Sequence, residues 1–379
     1  MRCSFAALLL LIAAPAAAQH AQPASSERPG NAMNPQWSPD GLQLAFEVTH
    51  PQERFTELFV RDVNSGRERV IHPSLTSSSS GGGGGLGGRF FEGGEAKRQV
   101  NHEFAWSRRP GVSGLLHAYA SSGNDDEFDL YLSELRSPIG STTKKEGGPA
   151  FSADSKYLVY CSARTGDGDL YLLEVDDLGK DPVRLTWGAA LDFYASWSPD
   201  GVKLAYAAMD ENGADIRVIG DVTRPQQTDR AVTDWKAASL KPSWSPDGRR
   251  LAFFSNHDRG DRTKWDVYVV DVEGGTPFRV ARDVVPNERR GPSWTPDGEG
   301  IVTVLSDPNQ GDPVVVVDVA SHRVRVLDTG TVNNSDPTVL NDAAAGRWRV
   351  AFVSQGVRSS SAQAWRRVFV HDLPAPEAP

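Results

Sequence analysis

The string WSPDG occurs three times in this chain, at Trp37–Gly41, Trp197–Gly201 and Trp244–Gly248, and once more as WTPDG at Trp294–Gly298. Weaker copies read FSADS from Phe151 and WSRRPG from Trp106. From Trp106 onward the anchors stand 45, 46, 47 and 50 residues apart. Self-similarity at that period means equal units, each too small to bury its own apolar face. With strand-like content between the anchors, a period in the forties predicts β-propeller blades.

Each copy reads as one blade. After the anchor, Pro-Asp-Gly is turn chemistry: Pro presets φ, Asp can bond nearby backbone, and Gly accepts positive φ. Asp40-Gly41, Asp200-Gly201, Asp247-Gly248 and Asp297-Gly298 hold these turn positions. A short apolar strand follows, with an aromatic nine residues after the anchor in four copies, at Phe46, Tyr160, Tyr206 and Phe253. An acidic loop leads to a second strand opened by Asp, and a shorter run ends the unit. The class is all-β, with four-stranded antiparallel blades. Six anchors are explicit, and Asp336-Pro337-Thr338-Val339-Leu340 stands where a degenerate seventh belongs. Seven blades are expected, six being the alternative. The propeller should span residues 34–372, after a polar segment at 19–33 and before a tail at 373–379. Residues 19–33 look too polar to donate a strand that closes the ring.

The amino terminus reads as a secretory signal over residues 1–18: Arg2, an apolar run from Phe5 to Ala14, and Ala16-Ala17-Ala18 as the cleavage site. That run is shorter than the ~20 residues of a membrane span. The mature chain is expected to be periplasmic and monomeric, with no membrane span. After cleavage only Cys161 remains, so no internal disulfide can form and a buried, inert thiol is expected. A net charge of −9 argues against a nucleic-acid partner. A Gly/Ser-rich stretch at 74–94, ending near Phe90-Phe91, fills the longer interval between Trp37 and Trp106 and reads as a surface loop.

Motifs for chemistry are sparse. Neither a G-x-S-x-G elbow nor an H-E-x-x-H zinc motif occurs, and the eight histidines lack ligand spacing. No catalytic, cofactor-binding or metal-binding residue is assigned. Fragments such as Asp167-Gly168-Asp169 resemble parts of calcium loops without the full spacing, so calcium is a weak expectation. Five loops that share one face carry fourteen acids against four bases. The candidate partner-binding rim is Asp125, Asp126, Glu127, Asp167, Asp210, Glu211, Asp258, Asp261 and Asp307. An acidic channel mouth would suit a basic or metal-bearing partner. Pre-anchor segments add mixed charge: Lys144-Lys145-Glu146, Asp192, Lys241 and Glu288-Arg289-Arg290. The Asp that opens each second strand could instead serve its turn.

Repeated WSPDG followed by Asp129-Leu130-Tyr131, Asp169-Leu170-Tyr171 and Asp266-Val267-Tyr268 resembles the TolB-type propeller repeat. The same repeat is found in the non-catalytic propellers of prolyl-oligopeptidase-like peptidases. The resemblance covers residues 34–372. It implies a role in the cell envelope, with a Pal-like lipoprotein docking at the channel mouth. The chain departs from TolB in leaving no room for the α/β domain before Trp37, and from the peptidases in having no hydrolase domain. The function expected is an exported, non-catalytic protein-interaction scaffold. The alternative is a propeller that binds, or hydrolyses at its acidic mouth, a glycan, small ligand or metal.

Overall fold

The computed structural model describes residues 20–374 except 53–54, 72–99, 112–113, 123–127, 134, 136–137, 140–143, 167, 308 and 358–364. Residues 1–18, read above as a secretory signal, the Gly/Ser-rich stretch with Phe90-Phe91, and four candidate rim acids (Asp125, Asp126, Glu127 and Asp167) therefore lie outside the described residues. The described strands form antiparallel meanders. Their inner strands are Asn31–Trp37, Asn101–Gly111, Glu146–Phe151, Leu191–Trp197, Ser239–Trp244, Ser293–Trp294 and Ser335–Asp342. All but the last end at, or run through, an anchor of the repeat. The fifth and sixth meanders join where Val284 and Val285 pair with Leu305 and Val304.

Apolar side chains from facing meanders fill the gaps between them. Phe254, Val267 and Val269 meet Trp294, Ile301 and Val315, for example. Phe46, Tyr160, Tyr206 and Phe253, nine residues after their anchors, are fully buried in this way. The last gap joins the chain's two ends: Leu44, Phe46 and Phe59 pack against Ala351, Val353 and Val368.

The turn after each anchor is held by two side chains. Ser38 Oγ donates to Asp40 Oδ1 at 2.6 Å and accepts from Gln43 N at 2.8 Å, while Leu42 N donates to Asp40 Oδ1 at 3.0 Å. The same bonds recur around Asp154, Asp200, Asp247 and Asp297. Thr295 keeps them because only the hydroxyl is needed. Gly41, Gly201, Gly248 and Gly298 follow with φ of 70°, 72°, 71° and 77°, where a Cβ is disfavoured.

The anchor tryptophans staple neighbouring meanders. Trp106, Trp197, Trp244 and Trp294 each donate the indole Nε1–H to the backbone carbonyl just before the preceding anchor: Gln36, Ala150, Ser196 and Ser243 respectively. Phe151 holds its place without such a donor. Trp37 is the exception, since its buried Nε1 has no partner. Its neighbour is the last meander, where Val339 stands in the anchor position.

Two sequence expectations need correction. The polar segment at 19–33 does supply a closing strand: Gln22–Pro23 pairs antiparallel with Arg367–Pro374. A two-residue strand needs little apolar area when flanking groups hold it. Ala24 N donates to Val368 O at 2.7 Å, Ser25 Oγ accepts from Val368 N at 3.0 Å, and Ala21 is buried in the core. Strands consequently run from Gln22 to Pro374, beyond the 34–372 taken from the repeats alone.

Candidate functional site

A cavity of about 490 Å³ lies where the inner strands converge, within the size range of ligand sites. Every meander contributes to its wall. The lining runs through Asn34, Gln36 and Trp37, then Glu103–Trp106, Gly148–Phe151, Tyr194–Trp197, Lys241–Trp244, Arg289–Trp294 and Pro337. It is the central channel of the ring.

The backbone explains which side chains reach it. Six inner strands slip register just before the anchor position. At each slip, the residue three places before the anchor takes a positive φ: Asn34 50°, Glu103 57°, Gly148 62°, Tyr194 55°, Lys241 57° and Asp336 52°. Such bulges re-aim a side chain. The left-handed region costs a non-glycine residue roughly 1–2 kcal/mol, and strain of this kind collects at ligand sites. The next residue is proline in four of these strands, at Pro35, Pro149, Pro242 and Pro337. Proline has no N–H to lose where the ladder is broken. At ~3.3 Å per residue, the bulge stands roughly 10 Å along the axis from the anchor ring.

The sixth meander differs. Its pre-anchor segment is a turn that presents two arginines. Asn287 Nδ2 donates to Gly291 O at 2.9 Å, Ser243 Oγ donates to Pro292 O at 2.6 Å, and Glu288 N donates to Asp336 Oδ1 at 2.6 Å. Gly291 is required by close approach, because a Cβ there would lie 2.3 Å from Lys241 O. From this turn Arg290 crosses to the first meander, donating from Nε to Asn34 Oδ1 at 3.0 Å and from Nη2 to Pro35 O. Arg289 reaches the second, its Nη1 lying 3.5 Å from Glu103 Oε1. Lys241 Nζ donates to Asn287 O and lies 5.3 Å from the Tyr194 ring centroid.

The charge at the cavity is the reverse of an acidic mouth. Its charged lining residues are Lys241, Arg289 and Arg290 against Glu103 alone. Behind them Glu47 is fully buried, accepting from Asn34 Nδ2 at 2.9 Å and from Glu103 N at 3.2 Å. Burial pushes its carboxyl up to about 7, against the opposing pull of Arg289. Burial also lowers Lys241, and brings Arg290 down to about 10.

None of the described rim acids lines this cavity. Asp210 accepts from Asn212 N at 2.7 Å, Asp261 from Thr263 N at 2.9 Å, and Asp307 from Asn309 N at 3.1 Å. Asp258 lies 3.4 Å from His257, and Glu211 is exposed. The Asp opening the second strand serves its own blade. Asp169 pairs with Arg184 at 2.8 Å, Asp215 accepts from Trp235 N at 3.0 Å, and Asp266 accepts from Asp283 N at 2.9 Å. Among the described residues no group of three His, Cys, Asp or Glu side chains is placed to hold a metal ion. Burial raises the Cys161 thiol to about 12, which keeps it protonated.

The sequence signal for the channel ring was the residue three places before the proline-linked anchor, in Asn34-Pro35-Gln36-Trp37 and Lys241-Pro242-Ser243-Trp244. Reading x-Pro-x-Trp rather than WSPDG would have marked Asn34 and Lys241 directly. Arg289 carries no such signal.

A ring of antiparallel β meanders around a lined channel defines the β-propeller class. Residues 197–355 match the TolB beta propeller domain. An uncharacterized protein of Agrobacterium fabrum is 31% identical over 90 residues, 23% of this chain and 30% of the relative's own length. Among solved structures, a putative TolB from Agrobacterium tumefaciens superposes with a TM-score of 0.50 at 19% identity, covering 72% of this chain and 88% of that one. Oligogalacturonate lyase from Vibrio parahaemolyticus superposes with a TM-score of 0.60 at 12% identity, covering 93% of each chain. At these identities the likeness is one of fold. Among the described residues no helix is long and apolar enough to cross a membrane.

Proposed function

We propose that this chain is an exported, non-catalytic TolB-like propeller that binds a protein partner of the cell envelope at the mouth of its central channel. The reading rests on one observation. The same strained bulge, repeated around the ring, aims Asn34, Glu103, Tyr194 and Lys241 into a single cavity. Four unrelated side chains held in one backbone geometry suit recognition of a shaped ligand. The match to the TolB beta propeller domain supports the envelope role.

The test exploits the backbone. Glycine favours the φ of 55° at Tyr194 and 57° at Lys241, so Tyr194→Gly with Lys241→Gly strips the mouth without adding strain. Full-length protein and the double variant would be immobilised and exposed to envelope extract. Capture of a partner by the wild type and its loss from the variant, with an unchanged melting temperature, is the expected result. Equal capture by both would overturn the proposal.

A further inference from the structure

The channel wall limits what can enter. Four anchor indoles donate their only N–H to carbonyls of the neighbouring meander. Gln36 Nε2 donates to Phe104 O at 2.7 Å, and Ser243 Oγ donates to Pro292 O. Ser293 Oγ accepts from Val339 N at 3.2 Å. Much of the polar wall below the mouth is thus committed to holding the ring. A hydroxyl-rich ligand there would leave its own groups unpaired, a heavy penalty in a desolvated site. Aromatic and proline rings complete the lining.

Among the described cations that line the cavity, one is held most loosely. Arg290 donates to Asn34, Pro35 and Thr338, and Lys241 to Asn287 O. Arg289 is held only by a long 3.5 Å bond to Glu103, and its buried Nε has no partner at all. A guanidinium presents its donors as a fork that matches a carboxylate in two parallel bonds. The turn from Asn287 to Gly291 fixes where that fork sits.

We propose that Arg289 receives a carboxylate from an extended peptide segment of the partner, displacing Glu103, while apolar residues of that segment enter the aromatic-lined channel below. The proposal rests on the protein-binding reading above and names the chemistry of the partner. One charged group with apolar neighbours suits a site that has a loosely held guanidinium fork and a wall with few free donors. A cavity of about 490 Å³ admits a narrow segment rather than a folded domain.

The test uses full-length protein and two random nonapeptide libraries on beads, one C-terminally amidated and one with free carboxyl ends. Enrichment of Asp and Glu from the amidated library would identify a side-chain carboxylate, and enrichment only from the free-acid library a chain end. Either supports the proposal when Arg289→Gln lowers the affinity of the selected peptides about tenfold or more. Glu103→Gln should act oppositely and tighten binding several-fold, because it removes the internal competitor while an amide oxygen can still accept from Gly148 N. A merely structural role for the pair would make both variants weaken binding. Selected peptides without carboxylates, or insensitive to Arg289→Gln, would overturn the inference. Tetragalacturonate that binds and displaces the peptides would overturn it in favour of an acidic glycan. If the mouth captures an envelope protein yet selects no peptide, only this inference fails. If it captures neither, the protein-binding reading fails with it.

Discussion

The indole staples make a quantitative prediction that separates hydrogen bonding from packing. Replacing Trp197, Trp244 or Trp294 with Phe removes a pyrrole ring from a buried site and leaves the carbonyl of Ala150, Ser196 or Ser243 unpaired. The same change at Trp37 removes a similar area, for all four rings are 8–9% exposed, but no hydrogen bond, since Trp37 Nε1 is buried without a partner. A net hydrogen bond contributes about 0.5–1.5 kcal/mol, and removing an unsatisfied buried donor relieves a desolvation cost of similar size. Trp37→Phe should therefore cost less than the mean of the other three by roughly 1–2 kcal/mol. Trp244→Ala, which removes the whole side chain, should cost on the order of 3–5 kcal/mol. Equilibrium guanidinium unfolding followed by far-UV circular dichroism gives these differences from the midpoints at constant slope. Equal costs at all four tryptophans would refute the staple argument, and a loss below about 1 kcal/mol for Trp244→Ala would refute the anchor's place in the core.

Gly248→Val should lower the melting temperature, because a β-branched residue is forced to a φ of 71°; its cost should approach ~2 kcal/mol, and an unchanged midpoint would show that the turn can relax. Stability should also fall as pH rises. Burial raises Glu47, Glu146 and Asp192 to about 7 from 4.5, 4.5 and 3.8, so the folded state holds extra protons between those values and loses the benefit as pH passes 7. His117 opposes them: burial lowers it to about 4 from 6.5, so its contribution is present above 6.5 and lost as pH falls toward 4. Burial lowers His102 and His371 as well, in the same sense as His117, but the three carboxyls carry the larger shifts, so calorimetry should find a higher melting temperature at pH 5 than at pH 8. Glu47→Gln should recover up to about 3 kcal/mol at pH 8; a melting temperature that rises with pH and ignores this variant would contradict the assignment.

Much of the fold was legible because the repeat encodes its own turn. Ser and Asp two residues apart, followed by Gly, specify a set of hydrogen bonds that the chain makes five times, and the Thr295 copy shows that the hydroxyl is what matters. Ring closure was not legible, because a strand as short as Gln22–Pro23 has no periodicity and is defined by its partner Arg367–Pro374. The channel lining was hard to read for a different reason. Counting acids in the loops assigns them to a partner, whereas most of those described are committed to backbone N–H groups of their own turns. The groups that do reach the channel were visible only as scattered pre-anchor charge. Their convergence depends on a bulge, and a register slip is a property of two paired strands rather than of one segment.

The seam between the last and first meanders is where the staple is missing twice over: Val339 replaces the anchor tryptophan, and Trp37 finds no carbonyl to bond. Arg290 compensates. It donates to Asn34 Oδ1 and Pro35 O on the first meander and, at 3.2 Å, to Thr338 Oγ1 on the last. It is half-buried and bonded to both sides of the seam, so truncation would leave three acceptors without a donor. Each unpaired buried group costs about 1–3 kcal/mol. Arg290→Met keeps the apolar stem but removes the donors, and should therefore destabilise by several kcal/mol, whereas Arg289→Gln, at a half-exposed residue with one long bond, should change stability by well under half as much. Location is the sharper readout. Amide exchange in Arg290→Met should quicken first in Asn31–Trp37 and Ser335–Asp342, the two strands facing the seam, while Ser239–Trp244 keeps wild-type protection. Uniform acceleration across the ring would show that Arg290 adds only general stability, and an unaltered seam would show that Gln22–Pro23 closes the ring alone.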